Sequence, residues 1–346
     1  MLSALCPNVN RKHVQRTLVL FPGSLGDLVC ALPALETIQK QKKGDLVLAA
    51  RGEALELGSF LPFVKETRSL EEQMFSHLFS SPKILPDKAR EFFSSFSRII
   101  SWYGYSRVEV AENLRSLAGD EFYSFPFFVG QEDCHAAAYY LRCVGVETLQ
   151  CPVLQLSEKA VQWRDHYWQQ HGLETRSPVF VIHPGSGGKN KCWKSEGFQR
   201  VAHWWQKERK GRILVILGPA EEQEIKHWQS IGDVAAQLSI WQVAALLSRA
   251  GLYLGNDSGV SHVAGAVGTR GVVLFGPTQP QQWRPLGGSL LVLKNIEYRR
   301  EFPSTEGISL REISEERVIG KLIMQGGSGD LPFHEAKPYS EQKLPN

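Results

Sequence analysis

The sequence predicts an α/β protein of two Rossmann-like domains, each a parallel sheet with helices packed on it. Three observations predict it. The chain has 346 residues, more than one ordinary core holds and suited to two domains of about 150 each. Short apolar runs alternate with helical patterns over 17–50 and again over 178–276, and strand–helix–strand alternation joins parallel strands. In both blocks a glycine-containing turn stands between a strand and the next helix, where open α/β sheets bind ligands.

The elements follow in order. Residues 17–21 (TLVLF) read as the first strand, and a helical pattern runs over 27–43 until Gly44 stops it. Residues 45–50 (DLVLAA) are the next strand. The region 52–130 holds short aromatic and serine-rich pieces without a clean period, and no element is assigned there. A helix over 133–145 closes the first block, 151–159 (CPVLQLSEK) connects, and a helix over 157–171 opens the second. Strands are expected over 178–185, 212–218, 252–256 and 271–276, and helices over 195–210, 221–230 and 259–267. The domains are thus 1–150 and 151–324. Residues 325–346, rich in Gly, Pro and charge, read as a disordered tail.

Composition narrows the function. Hydrophobic residues make up 42% and charged residues 22%, which excludes a disordered or fibrous chain. The net charge is +3; residues 1–150 carry 16 Lys/Arg and 17 Asp/Glu, the remainder 23 and 19. Neither half has the concentrated basic patch of a nucleic-acid binder, and no nucleic-acid partner is expected. The six cysteines, at 6, 30, 134, 143, 151 and 192, include no C-x-x-C pair, so a structural zinc is not expected and free thiols in a reducing cytosol are. There is no signal-peptide core and no apolar run of ~18 residues. The expectation is a soluble cytoplasmic protein, with a peripheral contact at a membrane surface left open.

Three constellations carry chemistry. Gly23-Ser24-Leu25-Gly26-Asp27 lies between the first strand and first helix. Its glycines allow close backbone approach to a ligand, and Asp27 projects toward the crevice; an Asp there also serves simply as a helix-terminal residue. The pattern is G-x-x-G, and the next strand ends in Arg51, so the dinucleotide fingerprint G-x-G-x-x-G with its acidic partner is absent. The second constellation runs from His183 through Ser186, Lys189 and Lys191 to Trp193, a glycine-rich basic loop suited to phosphate oxygens and equally able to be a solvated loop. The third is Asn256-Asp257-Ser258-Gly259-x-x-His262. Asp257 or Ser258 can cap the helix that follows, the amides near Ser258 and Gly259 can bind an anion, and His262 can add a donor. The bland alternative is a capped core helix with a packed histidine. Glu221, after Gly218-Pro219-Ala220, sits at the crevice or is an ordinary first-turn acid; Phe275-Gly276-Pro277-Thr278 with Trp283 and Pro285 can line a pocket or simply pack. No Asp-x-Asp occurs, which removes the obvious carboxylate ligands for a metal-bridged diphosphate. No G-x-S-x-G or H-E-x-x-H occurs either.

In order and spacing, these motifs resemble glycosyltransferase family 9, the ADP-heptose:lipopolysaccharide heptosyltransferases. The resemblance covers about 17–45 and 178–287, through Gly23–Asp27 with Pro33, His183-Pro184-Gly185-Ser186, Lys191-x-Trp193, Gly218–Glu221, Asn256–Ala264 and Leu274–Thr278. It implies a GT-B fold, two Rossmann-like domains facing across a cleft, with the nucleotide sugar in the C-terminal domain and a glycan or glycolipid acceptor in the N-terminal one. It implies inversion at the anomeric carbon with no metal and no cofactor. It places the base at Asp27, phosphate contacts at Ser186 and Lys191, and further donor contacts at Glu221, Asp257, Ser258, Gly259 and His262. Gly187 stands where many members carry a second hydroxyl residue, a departure at one phosphate contact. The near-neutral first half offers no basic surface for a phosphorylated lipid acceptor. No oligomeric state is implied. The competing readings are a GT-B-like nucleotide-sugar epimerase and a non-catalytic nucleotide-binding module; a dinucleotide oxidoreductase lacks its fingerprint.

Overall fold

A computed structural model of the chain describes residues 15–80, 85–118, 121–128, 133–174, 178–294 and 310–326. By contact the chain divides into two units: Met1–Pro22, Leu35–Arg51 and Gly58–Phe127 form the first, and Gly23–Ala34, Gly52–Leu57 and Phe128–Asn346 the second.

The first sheet is built along the chain as β1 (Arg16–Leu20), α1 (Leu25–Gln41), β2 (Asp45–Ala50), α2 (Gly52–Gly58), β3 (Glu66–Ser69), α3 (Gln73–Ser76), α4 (Asp87–Ser94), β4 (Arg98–Ser101), α5 (Val108–Ala118) and β5 (Phe122–Ser124). Its order is β3-β2-β1-β4-β5 and every pairing is parallel. The order reverses beside β1, between β1 and β4, which makes the carboxyl ends of those strands the binding crevice of this sheet. β1 is nearly all buried because both its faces are covered, and this is why TLVL reads as a continuous apolar run. Leu18, Leu20, Val47, Ala49 and Ile99 pack with Phe75, Phe93 and Leu114 into one core.

The second sheet follows as α6 (Ala136–Cys143), α7 (Glu158–Gln170), β6 (Phe180–His183), α8 (Ser195–Arg209), β7 (Ile213–Leu217), α9 (Ile225–Gln229), β8 (Asp233–Ala236), α10 (Ile240–Ser248), β9 (Leu252–Asn256), α11 (Gly259–Ala266), β10 (Arg270–Phe275), α12 (Pro280–Trp283), β11 (Ser289–Lys294) and α13 (Glu315–Gly326). Its order is β11-β10-β9-β6-β7-β8, again parallel throughout. The reversal falls between β6 and β9, the two strands that lead into the second and third constellations. Phe180, Ile182, Val215, Leu252, Leu254 and Val272 form its core with Trp193, Trp205 and Trp228.

The expected α/β class and paired parallel sheets are therefore present. The differences are local. The helix expected over 221–230 is a 3-10 segment at Pro219–Glu224 followed by the short α9. Among the described residues, the region 52–130 contains α2, β3, α3, α4, β4, α5 and β5, with a 3-10 turn at His77–Phe79. β8, α10, β11 and α13 were not assigned from the pattern. α13 runs into Gly326, so the expected tail begins inside a helix at 325–326; its remainder, 327–346, lies outside the described residues. Among the described residues no helix is long and apolar enough to cross a membrane.

Candidate active site

The carboxyl ends of β6 and β9 converge on one residue, Asp257. It follows β9, its backbone N–H donates to Leu274 O at 2.9 Å, and its side chain is only 5% exposed. Lys191 Nζ donates to Asp257 Oδ2 at 3.0 Å, the Thr278 hydroxyl donates to the same oxygen, and Ser186 Oγ donates to the Asp257 carbonyl at 2.7 Å. Three separated segments are thus tied to one point. Asn256 clamps the same loops from behind: its Nδ2 donates to Pro184 O at 2.6 Å, and its Oδ1 accepts the Trp193 N–H at 3.0 Å. Asn256 stood inside the third constellation without an expected role; its role here is to join the second constellation to the third.

Ser258, rather than Asp257, caps α11. Its hydroxyl accepts the Ser261 N–H at 3.3 Å, and Ser261 in turn donates to Asn256 O at 2.6 Å. The amides of Gly259 and Val260 in the first turn have no partner within the helix by its own geometry, and the helix dipole favours negative charge there. Lys191 is 34% exposed, and an ammonium with one proton on Asp257 has two more to offer an anion.

Glu221 lies beside the second constellation. Its Oε2 accepts the Gly218 N–H at 3.0 Å, and a Cβ on Gly185 would come within 2.6 Å of its carboxylate. A side chain at 185 would therefore displace the Glu221 carboxylate. Burial raises the Glu221 pKa, the Gly218 N–H opposes it, and the nearby Glu224 and Glu53 raise it further. His183 is buried at the end of β6; burial lowers its pKa, and its Nδ1 donates to Ile216 O at 2.9 Å. It ties β6 to β7 and does not enter the site chemistry. Nothing lies within 4 Å of a Cβ placed on Gly187. Trp283 packs edge-on against Phe128 at 5.0 Å between ring centroids.

Residues Gly23–Ala34 belong by contact to this second unit. Asp27, half-buried in the first turn of α1, accepts from the Ser24 N–H at 2.8 Å and the Ser24 hydroxyl at 2.6 Å. Its carboxylate is therefore oriented by the cap of its own helix. The glycine beside it is occupied differently from expectation: a Cβ on Gly26 would stand 3.0 Å from His262 Cδ2, so a side chain fills the space read as room for a ligand. A Cβ on Gly259 would likewise meet Leu25 at 2.8 Å.

His262 is 4% exposed. Burial is the largest influence on it and lowers its pKa to about 4; Asp257 opposes this, and His135 and Lys191 reinforce it. The ring is neutral at physiological pH. Two neighbours were not anticipated. Cys30 places its Sγ 3.6 Å from His262 Nδ1. His135 caps α6: its Nδ1 accepts the Ala137 N–H at 3.1 Å, which leaves Nε2–H to donate to Arg284 O at 2.8 Å. Neither residue sits in a recognisable local pattern, because each meets its partner from a distant stretch of chain. Among the described residues no group of three or more His, Cys, Asp or Glu is arranged to hold a metal ion.

Two parallel-sheet α/β units with glycine-containing turns at their switch points are the two Rossmann-like domains of the GT-B class. The comparisons agree. The model of glycosyltransferase family 9 (heptosyltransferase) matches residues 131–306, just over half of the chain. The chain belongs to this family. Lipopolysaccharide heptosyltransferase 2 of Escherichia coli K12 is 25% identical over 292 residues, covering 78% of this chain and 80% of that protein. The family 9 glycosyl transferase from Veillonella parvula superposes with a TM-score of 0.71 at 20% identity, over 90% of this chain and 96% of that one. E. coli ADP-heptose LPS heptosyltransferase II gives 0.67 at 19% identity, over 90% and 99%.

Buried neutral histidines make stability depend on pH in a defined direction. His262, His183 and His135 all have pKa values lowered by burial. Below about pH 6.5 the unfolded chain binds protons that these rings refuse, so their contribution is complete above that pH. It is lost as pH falls below about 6.5, for His262 toward about 4, by at most about 1.4 kcal/mol per pH unit for each ring. Melting temperatures between pH 7.5 and 5.0 should fall more steeply for the parent than for His262→Gln. The difference between the two cancels the opposing effect of Glu221 and Glu53, and parallel curves would contradict the assignment.

Proposed function

We propose that the protein transfers heptose from ADP-heptose to a hydroxyl of a lipopolysaccharide-core or related glycan acceptor, with inversion and without a metal. The observation that carries this reading is the convergence of Ser186, Lys191 and Thr278 on Asp257 at the N-terminus of α11, with neutral His262 one turn further on. The similarity to heptosyltransferases supports the choice of donor and acceptor. Residues 151–324 form the donor domain in this reading and residues 1–150 the acceptor domain. The protein works in the cytoplasm, as a peripheral protein at the inner face of the inner membrane.

The chemistry follows from the groups present. The Asp27 carboxylate takes the proton of the acceptor hydroxyl, whose oxygen attacks the anomeric carbon as the bond to the nucleoside diphosphate breaks. The diphosphate leaves with the bonding pair and gains charge. Lys191, the first-turn amides of α11 and the His262 N–H are preorganised donors for that charge. Ser186 and Ser258 set the loop that presents them, and the Glu221 carboxylate borders the same loop at Gly185. The absence of Asp-x-Asp supports the metal-free form.

The test is a donor assay by nucleotide release, with and without an acceptor extract. Release of ADP that depends on acceptor is expected. Conversion of the donor sugar in the absence of acceptor would identify an epimerase instead, and ADP binding without turnover a non-catalytic module.

Three predictions accompany it. Asp27→Asn should retain ADP affinity and lose about 10²–10⁴ in turnover, the scale of general base catalysis, and near-parental turnover would remove Asp27 from that role. Lys191→Ala removes a charge-assisted contact of about 1.5–3 kcal/mol, so ADP affinity by calorimetry should fall roughly 10–150-fold. Activity should survive EDTA; loss on chelation and recovery with Mg²⁺ or Mn²⁺ would overturn the metal-free mechanism.

A further inference from the structure

The transfer reading leaves Cys30 unused. It lies in the first half of α1, 2% exposed, within the second unit, and its Sγ is 3.6 Å from His262 Nδ1, inside the range of a hydrogen bond to sulfur. The ring is held from another side as well. A Cβ on Gly26 would stand 3.0 Å from Cδ2 and 3.4 Å from Nε2, so backbone without a side chain passes along the Cδ2–Nε2 edge. The charged and titratable groups around the ring are Asp257, Lys191 and His135. His135 has both nitrogens engaged, one with Ala137 N–H and the other with Arg284 O.

Cys30 and His262 are both neutral. Burial, with Asp27 and Asp257 acting in the same direction, pushes the thiol up, while burial holds the imidazole down. The pair therefore shares one S–H and one ring N–H. An imidazole nitrogen is a good acceptor and a thiol sulfur a weak one. S–H donating to Nδ1 satisfies both, and it puts the ring proton on Nε2. The reverse arrangement would give the weaker bond and leave a lone pair on Nε2.

We propose that Cys30 is a positioning residue: its thiol donates to Nδ1 and holds His262 in the Nε2–H tautomer, so that the histidine presents a neutral N–H donor. The use of that donor on the departing diphosphate rests on the transferase reading above. A ring in the other tautomer would turn a lone pair toward an anion and repel it.

The experiment is ¹⁵N-histidine NMR on the full chain at pH 7.5, with the His262 signals identified by their loss in His262→Gln. The parent should show a protonated Nε2 and a bare Nδ1. Cys30→Ala should shift His262 toward a mixture of tautomers, and Cys30→Ser, whose hydroxyl can still donate, should keep Nε2–H. In turnover, Cys30→Ala should lose roughly 3–10-fold in kcat with little change in donor KM, the size of one hydrogen bond, and Cys30→Ser should recover most of it. A parent with the proton on Nδ1, or a His262 signal unchanged in Cys30→Ala, overturns the proposal. So does a tautomer shift in Cys30→Ala with parental kcat. Absence of sugar transfer by the parent would instead overturn the transferase reading, because the NMR result does not depend on activity.

Discussion

Asp257 is a carboxylate taken out of water at the end of a central strand, and an unpaired charge there would cost several kcal/mol. The arrangement around it is what keeps it tolerable: an ammonium at 3.0 Å, a threonine hydroxyl on the same oxygen, and its own amide bonded to β10. The partners come from separate segments of chain. The loop after β6 is held by Lys191 and Ser186, the turn after β10 by Thr278, and α11 starts from the next residue. The shape of the crevice at β6 and β9 therefore depends on one charge being neutralised locally. Removing Lys191 would leave Asp257 buried and unpaired, so the effect of Lys191→Ala includes a change in the shape of the loop as well as a lost contact.

The same economy of space governs the glycines. Gly185 is small because the Glu221 carboxylate rests on it, Gly26 because the His262 ring does, and Gly259 because Leu25 does. From sequence Gly26 reads as room for a ligand. In the fold these glycines are room for side chains that shape the site, and any ligand must meet the polar groups those side chains position. The glycine pattern marks the turns at the strand ends, where the close approach is of protein to protein.

The readable parts of the fold are those where the physics is local. β1, β2, β6, β7, β9 and β10 are short runs buried on both faces, so their side chains are apolar almost without interruption. β3, at an edge of the first sheet, is ETRS, with every residue half-buried, and has no such signature. β5 at the other edge is three residues, FYS, with its middle side chain exposed. The region 52–130 was illegible because its strands are short and lie beside or at the edges. α10 was missed for the opposite reason: IWQVAALLS is apolar on nearly all sides because the helix is buried, so it lacks an amphipathic period. The site divides in the same way. Ser186, Lys191, Asp257 and Ser258 sit in turns whose position between strand and helix can be read, and His262 lies in the first turns of the helix that follows. Cys30 and His262 are 232 residues apart and His135 and Arg284 are 149 apart, and such pairings are products of topology alone.

The charges in the site also constrain how it can work. Asp257 and Glu221 bring carboxyl groups to the loop of Lys191, Lys294 Nζ donates to Thr278 O at 3.0 Å on the other side of the Asp257 cluster, and a diphosphate would add more negative charge. Lys191 is already partly committed to Asp257, so much of its attraction for a phosphate is spent before the ligand arrives. Beside these cations stand donors without net charge: the first-turn amides of α11 and a histidine kept neutral by burial. Neutral, fixed donors interact most strongly where negative charge grows, which is on the departing oxygen as the glycosidic bond breaks. Contacts that strengthen in the transition state raise turnover, whereas a strong uniform grip on the ground state would not. In the proposed transfer, fixed neutral donors are therefore suited to the charge that grows on a departing nucleoside diphosphate.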